Sequence, residues 1–151
     1  MTDSLTFFVP GDPRGKGVIQ GSGRQRFHDP KTANYLAICT LFAQRAKSGA
    51  RWETADGPVM VTLLASIDRP ARLIPNPKGR KQQPPDAAFW APCKPDPDNI
   101  AKAVCDAMTR AGIYSDDSRI VRLVVEKRYV AIGADVGVLV MVERLPTWDQ
   151  P

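Results

Sequence analysis

Long apolar runs are missing from this 151-residue chain, and none approaches the roughly 20 residues that a helix needs to cross a bilayer. No membrane partner is expected. Cysteine is scarce as well. Cys39, Cys93 and Cys105 are odd in number and show no CxxC spacing, which argues against both a disulfide framework and a zinc knuckle. His28 stands alone, so a histidine-ligated zinc centre and a histidine-assisted cysteine nucleophile both lack their partners. The opening MTDSLTFFVP has no basic segment leading into a long apolar core, and no secretory leader is expected. Together with unpaired cysteines this points to a reducing, cytoplasmic setting. The glycines of residues 11–23 fit neither the P-loop nor the dinucleotide fingerprint, and no organic cofactor is expected.

What is present is an ordinary globular composition, 43% hydrophobic and 25% charged, at a length that suits one domain spanning residues 1–151. The net charge of +5 divides unevenly. Residues 1–95 hold 14 Lys/Arg against 7 Asp/Glu, whereas residues 96–151 hold 7 against 9. A basic first part beside a cluster of aspartates suits a polyanion with a cation held between it and the protein; a plain solvated basic surface would have the same charge.

Along the chain, Ser4–Val9 reads as a strand that stops at Pro10-Gly11. A basic arm follows at about 10–28, with Arg14, Lys16, Arg24 and Arg26 among glycines; it reads either as a loose ribbon or as a mobile loop along a nucleic-acid backbone. Asp29 and Pro30 open a helix, with Tyr35/Leu36, Cys39, Phe42/Ala43 and Ala46 on one apolar face and an end near Ser48-Gly49. Pro58–Ile67 reads as a strand apolar enough to be central. Residues 68–95 form a Pro-rich basic loop carrying Arg69, Arg72, Lys78, Arg80, Lys81 and Lys94, with Phe89 and Trp90 either packed down or free to stack on a partner. A second helix covers Pro97–Ala111, stopped by Gly112, and strands follow at Ile120–Val130 and Val136–Glu143. This order predicts an α/β (α+β) single domain: a mixed sheet with two main helices on one face.

The chemistry concentrates in Lys94–Asp106. Asp96 before Pro97 is a natural helix cap, and Asp98 in the first turn suits the helix dipole, so two aspartates here need no ligand at all. A single cap, however, needs one carboxylate. The i, i+2 pair is followed by Asn99, by Lys102 four residues after Asp98, and by Asp106 one turn later; Asp116-Asp117 then precede a strand. If that strand packs beside the helix, its start can bring a third carboxylate to Asp96 and Asp98, and a divalent ion is the usual remedy for such repulsion. A calcium loop fails, because Ala101 and Ala107 occupy the positions of the required Gly and Glu.

The segment KPDPDNIAKAVCDAMTRAGIYSDDSRIV resembles the signature of the RusA family of Holliday junction resolvases, a family recurring in phages and prophages. Asp96, Asp98, Asn99, Lys102, Asp106, Gly112, Asp116 and Asp117 fall at the matching positions. The resemblance implies a Mg²⁺-dependent homodimeric endonuclease, with Mn²⁺ able to substitute, that cuts four-way DNA junctions by paired symmetric nicks in recombination and repair inside a bacterial host cell. Asp96, Asp98 and Asp117 would be the essential carboxylates and metal ligands, and Lys102 the essential lysine. Asp116 would either cap its turn or assist the metal, while Asn99 and Asp106 would support, Asp106 by holding Lys102. Arg14, Lys16, Arg24, Arg26 and Lys94 are the expected DNA contacts. Two other readings are a non-catalytic nucleic-acid-binding module and a nuclease for flaps or forks.

Overall fold

The computed structural model describes residues 3–15, 30–79 and 82–148. Five strands form one mixed sheet: β1 (Ser4–Pro10), β2 (Val59–Ile67), β3 (Phe89–Trp90), β4 (Ile120–Tyr129) and β5 (Gly137–Arg144), in the order β1-β5-β2-β4-β3. β2 lies at the centre, antiparallel to β5 and parallel to β4. Its nearly continuous apolar sequence fits that place, yet its burial alternates strictly, because Val59, Val61, Leu63, Ala65 and Ile67 face the helices while Met60, Thr62, Leu64 and Ser66 face the other way. The two helices, α1 (Pro30–Gly49) and α2 (Pro97–Ala111), pack on each other and on that single face. An α+β domain with its helices on one side is the outcome. Among the described residues no helix is long and apolar enough to cross a membrane.

The helical periodicities hold. Tyr35, Leu36, Cys39 and Ala43 are buried along α1, with Phe42 and Ala46 packed against the core. On α2, Ile100, Val104, Ala107, Met108 and Ala111 are buried. Gly112 ends α2 in the left-handed conformation at φ 70, where its N–H bonds Thr109 and Met108 carbonyls. Its own carbonyl accepts from Lys47 Nζ at 2.8 Å and Thr54 Oγ1 at 2.9 Å, which ties the far end of α2 to α1. Asp29, the expected cap of α1, and the ribbon alternatives for residues 18–28 lie outside the described residues.

The long loop departs from its expected form in two ways. Phe89 and Trp90 form a short strand, β3, antiparallel to Tyr129 and Arg128 of β4. Phe89 packs down, with its ring 5.2 Å from that of Tyr129, while Trp90 stays 62% exposed beneath the Arg128 guanidinium. The second departure is Arg69. It is buried, and its guanidinium donates to the carbonyls of Val130, Leu73, Pro85, Asp86 and Ala87 while lying over the Phe89 ring. A guanidinium with five fixed donors can organise carbonyls that proline-rich backbone leaves unpaired. Arg69 therefore belongs to the scaffold of the loop and is withdrawn from the basic groups available to a polyanion.

Candidate active site

The candidate site begins at the N-terminus of α2, and its local geometry follows from Pro97. Proline at the first helical position fixes φ and forgoes an N–H that would be unpaired there in any case. Asp96, in extended backbone before it, uses its carbonyl to accept the N–H groups of Asn99 and Ile100, both at 3.1 Å. Its side chain makes no capping bond. The Asp96 carboxylate instead turns outward to Lys94 Nζ at 2.8 Å, and that hydrogen bond holds its carboxyl below the usual carboxylate range. Helix capping therefore does not account for the Asp96 side chain.

Asp98 pairs with Lys102 at 3.5 Å, with side chains 68% and 63% exposed, so the pair is weak and both groups are available to a ligand. Asp106, expected to support Lys102, forms an ion pair with Arg110 at 3.3 Å, one turn further on. Both pairs follow from i, i+4 spacing, with the acid N-terminal to the base in each.

The floor beneath Asp96 is built from β4. Lys127, on the helix-facing side of the strand, sends its ammonium to the carbonyls of Cys93 and, at 2.8 Å, Pro95. A shallow depression lies there, lined by Ala91, Pro92, Cys93, Lys94, Asp96 and Lys127. The sequence offers little to single out Lys127, since it is one lysine in an alternating strand.

The base of the basic arm lies against the same helix end. A Cβ placed on Gly15 would stand 2.7 Å from Asn99 Cβ and 3.3 Å from Pro95 Cβ, so only glycine permits this approach. Arg14 is thereby brought to the α2 N-terminus, half-buried, and Asn99 gains a role as the surface that seats the arm. Lys16, Arg24 and Arg26 lie outside the described residues. Lys94, the remaining expected DNA contact, is exposed beside Asp96.

Asp116 and Asp117 separate in role. Asp116 caps the 3-10 turn Asp117–Arg119 by accepting the Ser118 N–H at 2.8 Å, which draws its carboxyl below the ordinary range. Asp117 accepts a hydrogen bond from Thr109 Oγ1 on α2. Thr109 lies eleven residues beyond Asp98 on nearly the same side of the helix, about 16 Å along its axis. The strand start does pack beside α2, as expected, but at its far end. Within one chain the three carboxylates form a row rather than a cluster, and among the described residues no group of three acidic, histidine or cysteine side chains stands at metal-binding spacing. The reason is the direction of β4: it starts beside the C-terminus of α2 and runs back toward Pro95.

Between these ends lies Cys105, whose thiol is pushed up to about 11 by burial and is therefore protonated at neutral pH. It is no nucleophile. Burial likewise raises Tyr114, whose hydroxyl donates to the Cys105 carbonyl at 3.0 Å. Both groups are buried, and their hydrogen bond ties Tyr114 to the middle of α2.

The chain matches the model of the family described as endodeoxyribonuclease RusA over residues 9–143. It is also similar to YqaN, an uncharacterised protein of Bacillus subtilis (strain 168), with 32% identity over 131 residues that cover 84% of this chain and 89% of that protein. A match running from β1 to the end of β5 takes in the α2 carboxylates, the arm and the Asp116-Asp117 turn alike, and the chain belongs to the RusA endodeoxyribonuclease family.

Proposed function

We propose that this endodeoxyribonuclease resolves four-way DNA junctions by Mg²⁺-dependent hydrolysis, working as a homodimer that places one site on each of two symmetry-related strands. The observation that carries the reading is the meeting of Gly15 with Asn99, which sets the start of a basic arm against a helix end bearing two exposed carboxylates and a lysine. Phosphate attraction and cation-holding groups then share one surface.

The donor set suits the ion. Asp96 and Asp98 offer hard oxygens, and each now rests on an ammonium, Lys94 and Lys102 respectively. A divalent cation would take the place of both ammonium groups and release the lysines to phosphate oxygens. Bound there, Mg²⁺ would supply Lewis acidity to the scissile phosphate and to an attacking water. Lys102 would offset charge gathering on the phosphate, and Lys94 with Arg14 would hold the backbone in register.

Asp117 is the third expected ligand, and its distance from Asp98 within one chain gives the dimer a chemical purpose. In a two-fold arrangement with the α2 helices antiparallel, Asp117 of the partner subunit comes to the Asp96 end of this chain, and the reverse. Each site is then complete only in the assembly. A four-way junction, itself near two-fold symmetric, would meet two such sites.

The test is cleavage of a synthetic four-way junction with and without Mg²⁺, comparing the wild type with Asp117→Asn and Asp98→Asn, alongside gel-shift binding. Both variants are expected to bind normally and to lose cleavage. Equal cleavage by Asp117→Asn would remove that residue from the site. Equal rates on linear duplex would refute junction selectivity, and a preference for forks or flaps would reassign the substrate.

A further inference from the structure

We propose that Lys127 is a positioning residue of the site: its ammonium fixes, from beneath, the turn that presents the Asp96 carboxylate to a divalent cation. The proposal rests on the metal-site reading above and assigns the group that prepares the site. Of the two carboxylates at this helix end, Asp98 is placed by α2 itself. Asp96 stands immediately before the helix, in extended backbone, and its side chain makes no capping bond. Its position must therefore be set by something other than helical geometry. Lys94 bonds it from outside, but with the lysine side chain 85% exposed that pair is a weak constraint. The segment leading to Asp96 also has few backbone donors of its own, because Pro92, Pro95 and Pro97 carry no N–H.

Lys127 is out of character with its row. On the helix-facing side of β4 it lies between Val125, packed against the core, and Tyr129, buried in it, and its neighbour on β2 is the buried Ala65. A charged side chain in such a row costs free energy unless its donors find partners. Its ammonium finds the carbonyls of Cys93 and, at 2.8 Å, Pro95, the residue before Asp96. These bonds tie the turn to the sheet. Groups that orient a metal ligand from behind commonly change metal affinity or activity about 10- to 100-fold when removed. The charge of Lys127 acts in the opposite direction. It draws the Asp96 carboxyl down, after the stronger effect of the Lys94 hydrogen bond, and would repel a cation bound there. Removing the ammonium thus weakens cation binding if Lys127 positions Asp96, and tightens it if the charge alone matters.

The test uses the full chain without DNA. Mn²⁺ is titrated in, and its paramagnetic broadening of the Asn99 and Ile100 amide signals gives the midpoint of binding. Lys127→Met keeps a side chain of similar length in an apolar row and is expected to raise that midpoint by about tenfold or more. Lys127→Gln, neutral and too short to reach both carbonyls, should shift it the same way. Lys127→Arg keeps the charge and the donors and should stay close to wild type. Hydrogen exchange without metal is the second readout. Asn99 and Ile100 donate to the Asp96 carbonyl, so in Lys127→Met their amides should exchange faster while those of Val104 and Cys105, deeper in α2, do not change. A midpoint within about twofold of wild type, or a lower one, overturns the positioning role. So does exchange that quickens evenly along α2, which would report a general loosening of the fold. If the wild type shows no broadening, the metal-site reading falls and exchange alone decides. Faster exchange confined to Asn99 and Ile100 then keeps Lys127 as the group that holds Asp96, and unchanged exchange removes it.

Discussion

Adding one methyl group at Gly15 is the sharpest probe of how arm and helix cooperate. The new Cβ would stand 2.7 Å from Asn99 Cβ and 3.3 Å from Pro95 Cβ, where ordinary contact begins near 3.4 Å. One side must move by about 0.7 Å. Asn99 Cβ is fixed to the α2 backbone, and Pro95 is held from below by Lys127. The arm therefore yields, and Arg14 moves with it. Overpacking costs about 1–3 kcal/mol, and a shift of the chain around Gly15 relieves part of it, so Gly15→Ala should destabilise by about 1 kcal/mol. The effect on chemistry should be larger. Misplacing a positioning group by about 1 Å can cost about 100-fold in rate, so junction cleavage under single-turnover conditions should fall by about 10- to 100-fold. Gly49→Ala is the matched control, because no atom lies within 4 Å of the added methyl. Cleavage by Gly15→Ala within twofold of wild type would refute the seating of the arm on α2.

Three further outcomes follow from the same geometry. Arg69→Ala removes the donor to five carbonyls of the loop and should lower stability in urea by about 3 kcal/mol or more; a loss below about 1 kcal/mol would show those carbonyls finding water instead. Lys94→Met should raise the titration midpoint of Asp96 toward the ordinary carboxylate range, read by carboxyl NMR. In the native chain this pairing favours folding above that range and is lost as pH falls through the lowered midpoint of Asp96; an unchanged midpoint in the variant would remove Lys94 as the cause. Thr109→Val should free the Asp117 side chain and slow cleavage several-fold at unchanged junction affinity, and wild-type rates would mean that Thr109 does not orient it.

Much of the site is legible in the amino-acid sequence. The Asp96, Asp98, Asn99 and Lys102 spacing lies within one helix, where a fixed rise and turn settle which side chains share a face. The ends of α2 are legible for the same local reason, Pro97 at its start and Gly112 at its stop. Arg69 is not, because its partners are carbonyls of a loop that folds back on it, and no local pattern distinguishes a buried guanidinium from an exposed one. β3 leaves no trace in the sequence because two residues carry no periodicity; what makes Phe89 and Trp90 a strand is the β4 edge beside them. Thr109 and Lys127 escape a sequence reading for a similar reason, as each acts across the gap between helix and strand.

The sequence by itself determined the groups of the candidate site: a basic arm, a pair of carboxylates and a lysine at one helix start, and a third carboxylate ahead of a strand. Tertiary structure decided which of these meet. It brought the arm to Asn99, because a glycine there lets two backbones approach. It kept Asp117 at the opposite end of α2, because β4 begins beside Thr109 and runs back toward Pro95. Spacing along a chain fixes neighbours on one helix; only the direction of the next strand fixes which end of that helix a later residue will reach.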